Sequence, residues 1–373
     1  MVQEPTLFID LNALAHNFGV LKQKLNTDTK FLAVVKASSY GHAPGVVAQK
    51  LVDLGVDYFG VAYALEGAEL RAAGIKKPIL LLHPMAAHFD QILEQNLEPS
   101  LYSVYLMRLW IDFLESKNIT DYPVHIKFNS GLNRLGIALA EIPEIVSAIN
   151  GTNSLKICSV FSHLGASDDP NAEEFTRDQI ARYISFYNTF TQKMRDNNPE
   201  FIIPWRHLCN TSGVLNYPEA QYDMVRCGIG LYGYGNDSKH DRLLRPVAQL
   251  KAPILQIHHV SAGQSVGYNH GFIAEQPTVI ASLPLGHADG LHRIFGKKNG
   301  CVWIHNQPAH ILGNVCMDML MVDVTNIPCK PGDTAVIFDQ QHGAQNLAEG
   351  AGTISYELLT GLSKRIKRSF LSE

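Results

Sequence analysis

The chain is expected to be an α/β protein, with an N-terminal (β/α)8, TIM-like barrel followed by a C-terminal mostly-β domain. Three observations predict this. Eight short apolar runs recur within about the first 230 residues, each followed by a helical pattern, and strands alternating with helices imply parallel pairing with right-handed crossovers. No G-x-G-x-x-G follows the first run, which disfavours a doubly wound open sheet. Beyond residue 240 helical periodicity gives way to short runs separated by Gly, Pro and Asn/Asp turns.

The eight runs are Phe31–Val35, Tyr58–Ala62, Pro78–Leu82, Leu97–Leu101, Val124–Phe128, Ile157–Phe161, Trp205–Cys209 and Met224–Cys227. Helical spacing fills the gaps, as in Gly45–Leu54, Ala64–Ala73, Val104–Ser116 and Ala172–Met194. Strand-like runs then follow at Pro253–Val260, Thr278–Pro284, Cys301–Ile304, Ala309–Val315, Met319–Val324 and Thr334–Phe338, with no helical pattern until Tyr356–Lys364. A barrel domain over 1–240 and a β domain over 241–373 follow, with the boundary between Asn236 and Pro246 and the first few residues free to pack on the second domain.

With 373 residues the chain is too long for one ordinary core. A net charge of −4 argues against nucleic acid as main partner but not against a small anion held by local cations. No apolar run approaches transmembrane length, and the first ten residues lack a basic-then-apolar signal pattern. A cytoplasmic protein without membrane contact is expected. The six cysteines form no C-x-x-C pair, and reduced core thiols are expected rather than disulfides or a zinc site. No H-x-H pair stands on an early strand, so no metal is expected.

Lys36 ends the first apolar run. A buried amine is costly unless paired, deprotonated or covalently used, and a lysine of lowered pKa is what Schiff-base chemistry needs. The alternative is a lysine that snorkels to solvent. Reacting groups of a (β/α)8 barrel sit where strands end. Those ends supply Lys36 and Tyr40, Lys127 and Arg134, His163, the stretch His207 to Ser212 with Asn210 and Thr211, and Arg226. So basic a mouth on a mildly acidic chain suggests a ligand bearing phosphate or carboxylate. Thr211, Ser212 and the Gly228-Ile229-Gly230 turn suit a phosphate. A Schiff-base lysine with a phosphate cradle points to pyridoxal 5′-phosphate. Taken singly, Arg226 could be a rim salt bridge, His163 a satisfied core histidine and the glycines mere turn formers.

The run Val34-Val35-Lys36-Ala37-Ser38-Ser39-Tyr40-Gly41-His42 resembles the cofactor-lysine signature of the alanine racemase family. The resemblance continues in Lys127 to Gly136, Ser162-His163, His207 to Ser212, Val225 to Gly233, Val266-Gly267-Tyr268, Gly313 to Asp318 and Thr353 to Glu357. It implies the following. Lys36 holds pyridoxal phosphate and acts as base on one face of the α-carbon. Tyr40, Asn210, Thr211, Gly228, Ile229 and Tyr356 hold the cofactor, mainly its phosphate. Arg226 bonds the pyridine nitrogen, and His163 links Arg226 to Tyr268. Tyr268, from the partner chain of a homodimer with shared sites, is the base on the opposite face. Arg134 and the Met317 amide of the partner take the substrate carboxylate, and Lys127 can carry a carbamate that steadies Arg134. The implied reaction interconverts L- and D-alanine by two bases, supplying D-alanine for peptidoglycan. Two bases flanking a planar carbon remove a proton from one face and return one to the other.

Three positions depart from the family pattern: His287 where a corridor tyrosine is usual, Asn129 for the commoner aspartate, and Asn314 for an arginine. His287 keeps a second reading open, a racemase of the same plan acting on serine, lysine or a broader set. Fold-related decarboxylases fit less well, because Cys316-Met317-Asp318 matches the racemases better. A cofactor-holding protein without catalysis is least supported, since both proposed bases are present.

Overall fold

A computed structural model describes residues 2–371. Eight parallel strands close into a barrel: β2 (Lys30–Val34), β3 (Tyr58–Val61), β4 (Ile79–Leu81), β5 (Glu98–Leu101), β6 (Tyr122–Lys127), β7 (Leu155–Phe161), β8 (Trp205–His207) and β9 (Met224–Cys227). β1 (Thr6–Asp10) precedes the barrel. Most of these strands are buried on both faces, β7 and β8 only towards their C-terminal ends, which is why the runs read as nearly continuously apolar. β9 closes on β2 with Leu32 opposite Arg226. All eight runs expected from the sequence are barrel strands.

The C-terminal part is a curled sheet: β10 (Ala248–Pro253), β11 (Gln256–Val260), β14 (Thr278–Leu283), β15 (Cys301–Ile304), β16 (Gln307–Leu312), β17 (Leu320–Asp323), β18 (Thr334–Phe338) and β19 (Lys367–Leu371), beside a ribbon of β12 (Ser265–Val266) and β13 (Phe272–Ile273). The sheet order is β11-β14-β17-β16-β15-β18-β10-β1-β19, so β1 lies between β10 and β19. It runs antiparallel to β10 and parallel to β19.

Two details differ from the sequence reading. Pro253–Val260 is not one strand. The chain turns a corner at Ile254 and Leu255, so that β10 pairs with β18 and β11 with β14. A helix also spans Ala344–Gly350, inside the stretch read as free of helix. Its seven residues carry only Leu347 and flanking alanines on the buried side, too little for a period to show.

Candidate active site

The barrel mouth holds a cavity of about 260 Å³ lined by Lys36, Tyr40, His83, Lys127, Arg134, His163, Asn210, Thr211, Ser212, Arg226, Gly228, Ile229 and Tyr356, together with Val34, Leu82 and Phe161. It contains no carboxylate. Of the thirteen residues to which the family resemblance gives a role, eleven meet here. Tyr268 and Met317 do not: they line a separate, larger concavity on the β domain, where they are 70% and 60% exposed.

Lys36 follows β2 and begins an unusual turn. Ala37, Ser38, Ser39 and Tyr40 all have φ between +52° and +54°, a left-handed turn without glycine until Gly41. Such residues cost roughly 1–2 kcal/mol each. The turn persists because its surroundings hold it. Ser39 N–H donates to the Val35 carbonyl, Glu66 Oε1 accepts the Ala37 N–H at 2.7 Å, and Arg368 donates to the Gly41 carbonyl at 3.1 Å. A Cβ on Gly41 would lie 2.0 Å from the Leu359 carbonyl oxygen, so this turn abuts the C-terminal helix Ser355–Thr360 directly. The Lys36 amine is held below the ordinary lysine range, chiefly by burial and then by Arg134, with Glu66 opposing.

The turn delivers Tyr40 to the cavity, its ring 4.7 Å from that of Tyr232 and 6.1 Å from that of Tyr356. Burial pushes both phenols up, Tyr356 to about 12, so both stay protonated donors. Gly228 makes room for Tyr40: an added Cβ would stand 2.3 Å from its hydroxyl. Thr211 Oγ1 accepts the N–H groups of Gly228 and Gly230, leaving the hydroxyl proton to give. Asn210 caps the helix Thr211–Asn216, its Oδ1 accepting from Gly213 N–H and Ser167 Oγ. Asn236, which the sequence reading did not single out, donates to Ser212 Oγ and the Tyr356 hydroxyl at 2.9 Å each.

At the other end Arg226 is 4% exposed. Burial lowers it to about 10, which leaves it charged at neutral pH. Its Nη1 donates to His207 Nδ1 at 2.8 Å and to the His207 carbonyl. Nη2 donates to the carbonyls of Ser162 and Leu208, with His163 Nδ1 at 3.3 Å. Burial and the cations Arg226, Arg134, Lys127 and Lys36 hold His163 far below its ordinary value, hence neutral. Lys127, 4% exposed, is lowered to about 8 by burial, then by Arg134, Arg226 and Lys36. Exposed Arg134 stands on a loop organised by Asn129, whose Oδ1 accepts from Gly131 and Asn133 N–H and whose Nδ2 donates to Asn133 Oδ1. An aspartate could not make that last bond. His83 also lines the cavity, lowered to about 4 by burial and then by Lys127, Lys36 and Arg134. The sequence held its signal: it directly follows the run Pro78–Leu82, at a strand end.

On the β domain, Asn314 Nδ2 donates to the Tyr268 carbonyl at 2.9 Å, which gives this departure a role in fixing the Tyr268 backbone. His287 N–H donates to the Cys316 carbonyl and Ala288 N–H to the Met317 carbonyl. Arg365 bonds Asp289 and Asp318, tying both loops together.

The cavity fits a phosphorylated aromatic aldehyde. It offers an amine of lowered basicity, a cluster of neutral hydroxyl donors beside a side-chain-free Gly228, and a fixed guanidinium opposite them. Among the described residues, no group of three or more His, Cys, Asp or Glu is placed to hold a metal ion, and no helix is long and apolar enough to cross a membrane.

Comparison with known proteins gives one answer. The family model "Alanine racemase, N-terminal domain" matches residues 9–236, and "Alanine racemase, C-terminal domain" matches 247–370. Alanine racemase of Geobacter sp. (strain M21) is 33% identical over 387 residues, covering 100% of both chains. That of Synechocystis sp. is 34% identical over 369 residues, covering 96% of this chain and 97% of the relative. Among solved structures, alanine racemase from Streptomyces coelicolor A3(2) superposes with a TM-score of 0.92 at 27% identity, covering 100% and 99% of the two chains. Alanine racemase from Bartonella henselae with covalently bound pyridoxal phosphate gives 0.89 at 27% identity, covering 99% and 100%.

Proposed function

The chain belongs to the alanine racemase family, enzymes of the isomerase class, and from that premise we propose how its own residues racemise alanine. The observation that carries the reading is the convergence of a weakly basic Lys36, buried phenol donors and the locked Arg226 in one acid-free cavity.

Bound pyridoxal phosphate would supply an electron sink that acidifies the substrate α-proton. Lys36 would hold the group and would serve as the base on one face of the α-carbon. Thr211, Tyr40 and Tyr356 would donate to the phosphate, aided by the Ile229 N–H and by the space that Gly228 leaves, while Asn210 and Asn236 keep this cluster in place. Arg226 would hold the pyridine nitrogen; a guanidinium only donates, so it would leave that nitrogen unprotonated and restrain the electron sink. Arg134 takes the substrate carboxylate. Lys127, lowered to about 8, is neutral in about a tenth of molecules at pH 7, far more than an ordinary lysine; the neutral amine is the form that adds carbon dioxide, and its carbamate would pair with Arg134.

We read the base for the opposite face as coming from a second copy of the chain. Tyr268 is exposed on the β domain beside Met317, and a second copy presenting that concavity to the barrel mouth would place the partner's Tyr268 opposite Lys36 and the partner's Met317 amide at the carboxylate. His163, whose Nδ1 faces Arg226, has Nε2–H left to reach the partner's Tyr268. We therefore read the active form as a homodimer with shared sites. It acts in the cytoplasm and supplies D-alanine for peptidoglycan, a role supported by the family alone.

The test is incubation of purified protein and pyridoxal phosphate with L-alanine in heavy water, following chirality and α-deuterium together. Deuterated D-alanine is the expected product. Neither exchange nor inversion with alanine, but both with serine or lysine, would move the assignment to another amino acid.

A further inference from the structure

A file of buried side chains crosses the barrel from its floor to the cavity. Glu98 opens β5 at the N-terminal end of the barrel and is 9% exposed; His125, Ser159 and His207 are fully buried. Glu98 Oε2 lies 3.1 Å from the Tyr58 hydroxyl and 2.8 Å from His125 Nε2. His125 Nδ1 is 2.6 Å from Ser159 Oγ, which is 2.6 Å from His207 Nε2. His207 Nδ1 is 2.8 Å from Arg226 Nη1.

The two ends set the direction of every bond. Arginine can only donate, so His207 Nδ1 must accept and its proton sits on Nε2. That proton goes to Ser159 Oγ, whose hydroxyl then donates to His125 Nδ1. The His125 proton therefore sits on Nε2 and goes to Glu98, whose carboxylate can only accept. No other arrangement satisfies all the groups. An imidazolium at His125 would donate to Ser159 from one side while His207 donated from the other, and the Ser159 hydroxyl proton would have no acceptor among the described residues.

We infer that Glu98, His125 and Ser159 are positioning residues that act through His207, forming with it a one-directional relay that locks the Arg226 guanidinium. Each bond polarises the next in a low-dielectric interior, so a carboxylate at the far end strengthens His207 as acceptor. With the Nη1 and Nη2 protons committed to His207, Ser162, Leu208 and His163, Nε–H is the donor left for the cavity. Tyr58, Tyr122, Cys158 and Arg71 are the other titratable or charged groups facing Glu98, and only the Tyr58 hydroxyl bonds it. The inference rests on the reading of Arg226 as the group facing the pyridine nitrogen.

The test uses Glu98→Gln, which keeps volume and an acceptor oxygen but removes charge, Ser159→Ala, which cuts the relay, and the double variant. In the cofactor-free protein, ¹⁵N resonances of labelled histidines should show His125 and His207 both neutral and both protonated on Nε2. In the pyridoxal phosphate-loaded protein, Glu98→Gln should displace the absorption band of the bound cofactor and lower kcat about fivefold with little change in KM. Ser159→Ala should lower kcat about tenfold, and the double variant should be no worse than Ser159→Ala, because the cut isolates Glu98. A proton on His207 Nδ1, a doubly protonated His125, additive effects, or an unmoved band in Glu98→Gln would overturn the relay. A purely structural role would lower the melting temperature without moving the band. If the reading of Arg226 were itself wrong, the wild-type protein would show no cofactor band, while the ¹⁵N result would still decide the relay.

Discussion

At the scale of single residues, the site works by shifting buried basic groups towards their neutral forms. Lys127 is the plainest case. Its amine titrates near 8, so carbamate formation should rise with pH through that value. With ¹³C-bicarbonate, the carbamate carbon signal should grow between pH 6.5 and 8.5 and vanish in Lys127→Met; a pH-independent signal would contradict the assignment. Gly228 is a steric requirement rather than a chemical one. Gly228→Ala would push its Cβ against the Tyr40 hydroxyl and should weaken cofactor binding about tenfold, or about 1.4 kcal/mol, in a fluorescence titration of the cofactor-free protein. Both residues stand at ends of runs visible in the sequence, yet their electrostatic and steric neighbours come from other strands.

At the scale of elements, the turn Lys36–Gly41 shows how strain is stored next to chemistry. Four non-glycine residues in left-handed backbone are unstable locally and are held by Glu66, Arg368 and the close approach of Leu359. Gly41→Ala adds a Cβ at φ +83° against the Leu359 carbonyl and should destabilise the fold by about 2 kcal/mol, with parallel loss of cofactor affinity, in denaturant titration. The sequence gives no sign of this turn, because Ala37-Ser38-Ser39 favours an ordinary helix start as readily. The relay through β5 to β9 was partly legible. His125 and Lys127 alternate along β6, as do Ser159 and Phe161 along β7, so period two already places them on one face. Which of these groups touch depends on strand stagger, which pairing alone decides.

At the scale of the whole molecule, two consequences follow. Three histidines, the buried His42 and His207 and the half-buried His163, are kept neutral, all chiefly by desolvation, His42 down to about 4. Their folded-state pKa values lie below the unfolded value near 6.5, so below that pH the unfolded chain binds protons that the folded chain refuses. Stability should fall as pH drops from about 6.5, by roughly 1.4 kcal/mol per pH unit for each histidine. Urea midpoints that stay level between pH 6.5 and 4.5 would refute this. The second consequence is quaternary. If Lys36 and the partner's Tyr268 share a site, Lys36→Ala and Tyr268→Phe chains are each inactive, but random mixed dimers regain one complete site. Co-refolding equal amounts should restore about a quarter of the wild-type sites. No recovery would place both bases in one chain.

The sequence by itself determined the barrel, the β domain after it and the strand ends that carry the chemistry. Continuous apolar runs bounded by turns are a local property, and a charged residue at the end of one is visible without any neighbour. Only the tertiary structure decided the rest. It set β1 between β10 and β19, broke Pro253–Val260 at a sheet corner, forced Lys36–Gly41 into left-handed backbone and put Tyr268 and Met317 away from Lys36. Each of these depends on which distant segments meet, and contact between distant segments is set by packing and hydrogen-bond satisfaction, for which no short window of sequence holds the information.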